Sequence, residues 1–266
     1  MRRTTVRSTM SDTVRYDIDA DEVATVTVDR PDKLNALTTE TLSALQDAVA
    51  TAEEDGARAL VITGAGEESF IVGADISFLK DLDPDEAHEY ASLGHDLIDA
   101  IETFPAPVIA AINGYAFGGG AEITLGCDLR VASERAIIGQ TEIDLGIIPG
   151  WGATQRLPRL VGDETARRLI YFGDRVDATD ANKIGLVGEV VAHEELYDRV
   201  NELASELAAQ PAFALEAAKE AINQSHEGSQ AAGLAFERRM WSSLFGTHDQ
   251  QEGMAAFLED REPEFE

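Results

Sequence analysis

Two uninterrupted apolar runs, Leu60-Val61-Ile62 and Val108-Ile109-Ala110-Ala111-Ile112, constrain this 266-residue chain more than any other feature. Each is too short for a buried helix and neither alternates with polar residues, so both read as buried strands. Gly64 and Gly66 follow the first run, and Pro105 and Pro107 precede the second. Between them, Asp83-Pro84-Asp85-Glu86 combines a cap, a proline at the first helical position and a reciprocal glutamate. That signature predicts a helix running to about Phe104. Upstream, Ala24, Val26 and Val28 alternate with Thr25, Thr27 and Asp29 as a period-two strand. Arg30-Pro31-Asp32-Lys33 then makes a turn, and Leu42, Leu45, Val49 and Ala52 repeat at helical spacing within Thr39–Glu54. Strands alternating with helices imply an α/β core.

After residue 160 the chain reads as mainly helical. Asp163 begins one helix, and Gly173 sits where a C-terminal glycine cap belongs. Asp177-x-x-Asp180 opens another, closed by Gly185. Stretches near 194–208, 211–224, 229–245 and 250–259 complete a helical C-terminal third. No sequence repeat of 20–50 residues and no low-complexity linker divides the chain. Periodicity alone does not choose among the many α/β folds.

Composition narrows function rather than fold. The chain carries 21 basic and 50 acidic side chains, a net charge of -29. Phosphate contacts need a basic face, so nucleic acid and polybasic membrane-surface roles are disfavoured. Hydrophobic content of 44% still permits a packed core, so the acidity does not imply disorder. No apolar run approaches the ~20 residues needed to span a bilayer. The single cysteine, Cys127, excludes an intrachain disulfide and a cysteine-clustered zinc site, and core packing is its expected role. His88, His95, His193, His226 and His248 lack metal-ligand spacing. A cytoplasmic enzyme is expected. The lysines are Lys33, Lys80, Lys183 and Lys219, and the other basic residues are arginine. Many carboxylates with few lysines suit a salt-rich cytoplasm, where ionic strength screens self-repulsion. Arg2-Arg3 lacks the apolar stretch of an export signal, Met10 is a candidate start, and residues 1–12 are expected to be mobile.

Two glycine-bearing segments carry the candidate chemistry. They are Ile71-Val72-Gly73-Ala74-Asp75-Ile76 and Asn113-Gly114-Tyr115-Ala116-Phe117-Gly118-Gly119-Gly120-Ala121-Glu122. Consecutive glycines let backbone approach a ligand closely, and a helix starting there presents unpaired N–H groups to negative charge. A tight corner packed on a neighbour would read the same way, and the spacing fits neither nucleotide-binding fingerprint. Glu122 enters the first turn of that helix. Glu142 follows Gly139-Gln140-Thr141, and Gly146-Ile147-Ile148-Pro149-Gly150-Trp151-Gly152 adds a stiff glycine-rich loop. Most carboxylates in a chain this acidic sit on solvated faces, and the separation of these two is not itself diagnostic.

Taken together, these segments resemble the crotonase superfamily, the enoyl-CoA hydratase and isomerase family. The likeness lies in Asn35-Ala36-Leu37, Gly73-Ala74-Asp75-Ile76, Val108 to Ala116, Gly118-Gly119-Gly120-Ala121-Glu122, Gly139-Gln140-Thr141-Glu142, Gly146 to Gly150, Thr154-Gln155-Arg156-Leu157 and Glu252-Gly253-Met254-Ala255-Ala256-Phe257. It runs in order from about residue 20 to 260. The resemblance implies a crotonase spiral of strand-strand-helix repeats over 13–200. It further implies a C-terminal helical region, 201–266, packing on neighbouring subunits in a trimer or dimer of trimers. Phe213, Leu215, Ala231, Leu234, Phe236, Met240, Trp241 and Leu244 offer apolar surface there.

The resemblance also implies roles. Backbone N–H groups of Ala74 and Gly119 would form an oxyanion hole for an acyl thioester oxygen, with Glu122 and Glu142 as the acid–base pair. Lys33, Leu34, Ala36, Asp75, Ile76, Ser77 and Gly150 would contact an acyl-CoA. No cofactor beyond the coenzyme A of the substrate, and no metal, is implied. Acyl-pocket residues are expected between Phe78 and Leu97 and around Trp151. Ser77 stands where many members carry lysine, so a phosphate contact is lost or passes to Lys80. Two glutamates favour hydration of a trans-2-enoyl-CoA over double-bond isomerisation, which needs only one. A dienoyl-CoA isomerase would carry an acid at Gly150. A non-catalytic acyl-CoA or RNA-binding relative is the remaining reading, and the retained glutamates and acidic composition oppose it.

Overall fold

The apolar runs lack alternation because both faces of the strands they form are covered. In this computed structural model, which describes residues 6–9 and 11–266, the chain begins with β1 (Val6–Thr9), β2 (Val14–Ile18) and β3 (Val23–Val28). It continues through α1 (Thr39–Glu54), β4 (Ala59–Gly64), β5 (Ser69–Ile71), α2 (Ile76–Leu79) and α3 (Pro84–Glu102). Then come β6 (Val108–Ile112), β7 (Tyr115–Phe117), α4 (Gly119–Gly126), β8 (Leu129–Ser133) and β9 (Ile137–Gly139). The next elements are α5 (Ala153–Val161), α6 (Asp163–Phe172), β10 (Arg175–Asp177), α7 (Ala178–Lys183) and β11 (Glu189–Val191). Four helices close the chain: α8 (Leu196–Ala208), α9 (Ala212–Gln224), α10 (Gln230–Ser243) and α11 (His248–Glu259).

A seven-stranded sheet has the order β1-β2-β3-β4-β6-β8-β11, parallel from β3 onward. A second sheet has the order β10-β9-β7-β5. Successive turns place one strand in each: β4 then β5, β6 then β7, β8 then β9. Helices close each turn, which is the expected strand-strand-helix spiral. In β4, Leu60 and Ile62 face the main core while Ala59 and Val61 face α8, against Leu196, Val200 and Ala204. In β6, Val108, Ala110 and Ile112 take the first face, Ile109 and Ala111 the second.

Local signals fix the helix boundaries. Asp83 accepts from Asp85 and Glu86 N–H while Glu86 returns to the Asp83 N–H, the capping box its sequence predicts. Thr38 caps α1 through the Thr41 N–H. Gly173 takes the left-handed conformation that ends α6. The helix starting at Asp83 stops at Glu102 rather than Phe104, because Phe104 turns into the core.

Val6–Thr9, within the stretch expected to be mobile, pairs antiparallel with β2, Val6 opposite Ile18 and Thr9 opposite Arg15. Without it β2 would present an open edge, a ready template for another strand. Residues 1–5 and 10, with the arginine pair and the candidate start, lie outside the described residues. At the other end, α10 buries no residue, and Phe213, Leu234 and Trp241 are exposed. No helix among the described residues is long and apolar enough to cross a membrane.

Candidate active site

The two glycine segments meet where β5 and β7 run side by side. Leu37 forms a parallel bridge with Ala74: its N–H donates to the Gly73 carbonyl at 2.8 Å and its carbonyl accepts from Asp75 at 2.9 Å. A parallel bridge of this kind leaves the N–H of Ala74 itself facing away from Leu37. Next to it, Gly119 is the first residue of α4, so its N–H has no intrahelical acceptor. Gly118 precedes it at φ +51°, a conformation glycine adopts without steric cost, and a Cβ there would stand 3.1 Å from Glu142 Oε1. Ala74 and Gly119 line one cavity of about 190 Å³. Glu122, Glu142, Gly150 and Trp151 line it too.

The two carboxylates live in different surroundings. Glu122 is 2% exposed, and its Oε1 accepts N–H groups from Trp151 at 2.8 Å and Ala153 at 2.9 Å. Burial pushes its pKa up, while those two donors, His95 and Arg156 oppose the shift. Glu142 is 9% exposed and its Oε2 is buried without a hydrogen-bond partner. Burial and the nearby Glu122 charge push it from 4.5 up to about 7. Burial thus raises both pKa values; two fixed N–H donors oppose the rise at Glu122, and Glu142 is poised to carry a proton near neutrality. Two N–H groups beside such a pair can stabilise an oxyanion while protons move.

The remaining site candidates separate. Ala36, Asp75 and Ile76 lie along the bridge and the turn after it, and Lys33 and Leu34 occupy a short helical turn before Asn35. Asn35 is fully buried and is a staple: its Nδ2 donates to the Ala65 and Ser69 carbonyls and its Oδ1 accepts from the Arg30 N–H. Ser77 is not free, since its N–H and hydroxyl both donate to Asp75 Oδ1, capping α2. Its hydroxyl and Arg30 at 3.8 Å hold the Asp75 carboxyl below its usual range. Lys80, the expected substitute cation, is 63% exposed and pairs with Asp81. Ile76, Leu79, Ala87, Tyr90 and Ala91 line the cavity, within the expected stretch and just before it. Cys127 is buried with its thiol pushed up to about 12, a packed and unreactive group.

Sequence reasoning missed two arginines. Arg30 donates to the Ala36 carbonyl and faces Asp75. Arg156 forks onto Glu102 at 2.7 and 2.6 Å and donates to the Trp151 carbonyl at 3.0 Å. The motif containing Arg156 was visible, but its partner Glu102 lies on α3.

Known proteins match both the sequence and the fold. A profile of the enoyl-CoA hydratase/isomerase family covers residues 19–266. A crotonyl-CoA hydratase of Syntrophomonas wolfei is 42% identical over 246 residues, 92% of this chain and 95% of that protein. A short-chain-enoyl-CoA hydratase of Clostridium acetobutylicum is 42% identical over 244 residues, 91% of this chain and 94% of that one. The crystal structure of an enoyl-CoA hydratase subunit from Geobacillus kaustophilus superposes with a TM-score of 0.91 at 38% identity, covering 97% of this chain and 99% of its own. With sequence and topology in agreement along nearly its whole length, the chain belongs to the enoyl-CoA hydratase family of the crotonase superfamily.

Proposed function

We propose that this protein is an enoyl-CoA hydratase adding water across the 2,3 double bond of a short trans-2-enoyl-CoA, reversibly with the 3-hydroxyacyl-CoA. The observation that carries the reading is the pair Glu122 and Glu142, buried in one cavity beside Ala74 and Gly119, with Glu122 held by two backbone N–H groups and Glu142 Oε2 left without a partner and its pKa pushed up to about 7. Relatives with crotonyl-CoA and short-chain-enoyl-CoA hydratase activity in their names support the substrate class. In hydration, Glu122 takes a proton from the water whose oxygen bonds to C3. The electrons of the double bond move toward the thioester, and the Ala74 and Gly119 N–H groups hold the oxygen where charge collects. The start of α4 adds its positive dipole end at Gly119. Glu142 then delivers its proton to C2, and transfer of the water's proton from Glu122 to Glu142, directly or through solvent, restores the pair and closes the balance. Lys33, Leu34, Ala36, Asp75, Ile76, Ser77 and Gly150 flank the path of the coenzyme A and acyl groups in this reading. No separate cofactor takes part.

The exposed apolar faces of α9 and α10 support assembly as a trimer or dimer of trimers, in a salt-rich cytoplasm. Light scattering at high salt tests the assembly. For the chemistry, Glu122→Gln and Glu142→Gln should each lose at least ~100-fold in kcat for crotonyl-CoA hydration, followed by loss of enoyl absorbance, while still binding acyl-CoA. Near-wild-type hydration by either variant removes that residue from the mechanism. Double-bond migration without hydration would point instead to an isomerase.

A further inference from the structure

One wall of the cavity that holds the two carboxylates is an indole. Trp151 is 4% exposed although it lines the cavity. Its ring is wedged between α3 and α4: a Cβ on Gly94 would fall 2.1 Å from its Cε2, and one on Gly119 would fall 2.3 Å from its Cζ3. Only residues without a Cβ admit the ring at both places. Tyr90 backs it, with ring centroids 5.6 Å apart, and Phe78 backs Tyr90 at 5.4 Å. The Tyr90 hydroxyl is anchored on the Leu37 carbonyl at 3.3 Å. The backbone of Trp151 is fixed at both ends, its N–H on Glu122 and its carbonyl on Arg156. The ring is therefore held in place by packing on its α3 and α4 sides and presents a rigid wall to the cavity.

Because the indole lines the same cavity as Ala74, Gly119 and both glutamates, an acyl group with its thioester oxygen at the two N–H groups would meet it. At about 190 Å³ the cavity is little larger than the ~150 Å³ apolar cavity that takes a benzene-sized guest. We propose that Trp151 is the specificity-determining residue of the site: its indole ends the acyl pocket and sets the longest enoyl chain that reacts. This inference rests on the hydratase reading. The competing route for a long chain runs over the rim, past Ile147 and Ile148, which are 48% and 65% exposed.

The test is kcat/KM for crotonyl-, trans-2-hexenoyl- and trans-2-octenoyl-CoA with the wild type, Trp151→Phe, Trp151→Leu and Trp151→Ala. The wild type should prefer crotonyl-CoA. The octenoyl-to-crotonyl ratio should rise at least about tenfold in Trp151→Ala, the scale set by a few methylenes in an apolar pocket, with Phe and Leu in between. Loss of stability alone scales every substrate by one factor and leaves the ratio unchanged, and that result overturns the proposal. If the alanine variant does not fold, the Phe and Leu variants carry the same comparison. Calorimetric Kd values for butyryl- and octanoyl-CoA provide a readout free of catalysis, and a ratio unmoved by substitution overturns the proposal again. A wild type equally active on all three chains also overturns it while leaving hydration intact. A wild type inactive on all three overturns the hydratase reading itself.

Discussion

Arg156 reaches Glu122 through one peptide unit on either side of Trp151: its Nη1 donates to the Trp151 carbonyl at 3.0 Å, and the Trp151 N–H donates to Glu122 Oε1 at 2.8 Å. The same guanidinium is locked to α3 by two bonds to Glu102. Arg156 thus positions the donors that oppose the upward shift at Glu122 and adds its own charge to the same end.

Replacing Arg156 by Met should remove both effects. The Glu122 carboxylate then holds its proton more tightly, and since a base must be ionised, the acid limb of the kcat/KM profile moves to higher pH. We expect kcat to fall about tenfold or more, within the range of displaced catalytic groups. Arg156→Lys keeps the charge without the fork, so kcat drops while the limb moves less. Rates that fall with no movement of the acid limb in either variant would restrict Arg156 to a structural role.

Glu142 gives a prediction with a definite sign. Its pKa rises from 4.5 to about 7 on folding, so within that window the folded protein keeps a proton that the unfolded chain has released. Stability is favoured at the acid end, is lost as pH climbs through the window, and is lower by up to about 3 kcal/mol above it. Glu142→Gln cannot ionise, so it should unfold at higher denaturant than the wild type near pH ~8 and converge with it near pH ~4.5. The wild-type hydration rate should decline above about pH 7, where the acid is lost. A variant no more stable than the wild type at the alkaline end contradicts this account.

How much of this was legible in the sequence follows from where each signal is written. Leu60-Val61-Ile62 and Val108–Ile112 were readable because double-sided burial leaves a continuous apolar run. The Asp83 capping box was readable because all its partners lie within one turn. Ser69–Ile71, Tyr115–Phe117 and Ile137–Gly139 are three-residue strands, too short for any period, and only neighbouring turns of the spiral define them. The outward N–H of Ala74 depends on its bridge to Leu37, and the donors on Glu122 are backbone groups with no side-chain signature. Those parts came from family resemblance or from the structure. Glu122 and Glu142 could each be named but not paired from spacing, because the path between them passes through β8 and β9.

Two glycines of the motif region should respond oppositely to a methyl group. A Cβ on Gly120 would lie 1.9 Å from the Ile71 carbonyl oxygen, so β5 or α4 must move. Gly120→Ala should cost about 2 kcal/mol or more, as overpacking against backbone does. Around Gly150 no atom lies within 4 Å of a Cβ, and Gly150→Ala should stay within about 0.5 kcal/mol of the wild type. Denaturant midpoints measured together would decide it; equal losses would mean that the α4–β5 contact is looser than drawn.

The last prediction concerns salt. A net charge of -29 repels itself, and part of it is concentrated beside the site: Asp81, Asp83, Asp85, Glu86 and Glu89 are exposed around the start of α3, whose Ala87, Tyr90 and Ala91 line the cavity. In the proposed reading, the phosphates of a coenzyme A thioester meet the same negative surface on approaching the site. Added salt shortens the screening length from ~10 Å at 0.1 M to ~3 Å at 1 M, weakening both repulsions. Raising KCl from about 0.1 to about 2 M should therefore raise Tm and lower KM for crotonyl-CoA together. Salts that strengthen apolar burial would raise Tm as well, so KCl is preferred to sulfate. Replacing Asp81, Asp85 and Glu89 together by their amides should lower KM most at low salt and scarcely at high salt, where the charges are already screened. A Tm and KM both flat across the KCl range would show that the acidic surface neither burdens the fold nor repels the substrate.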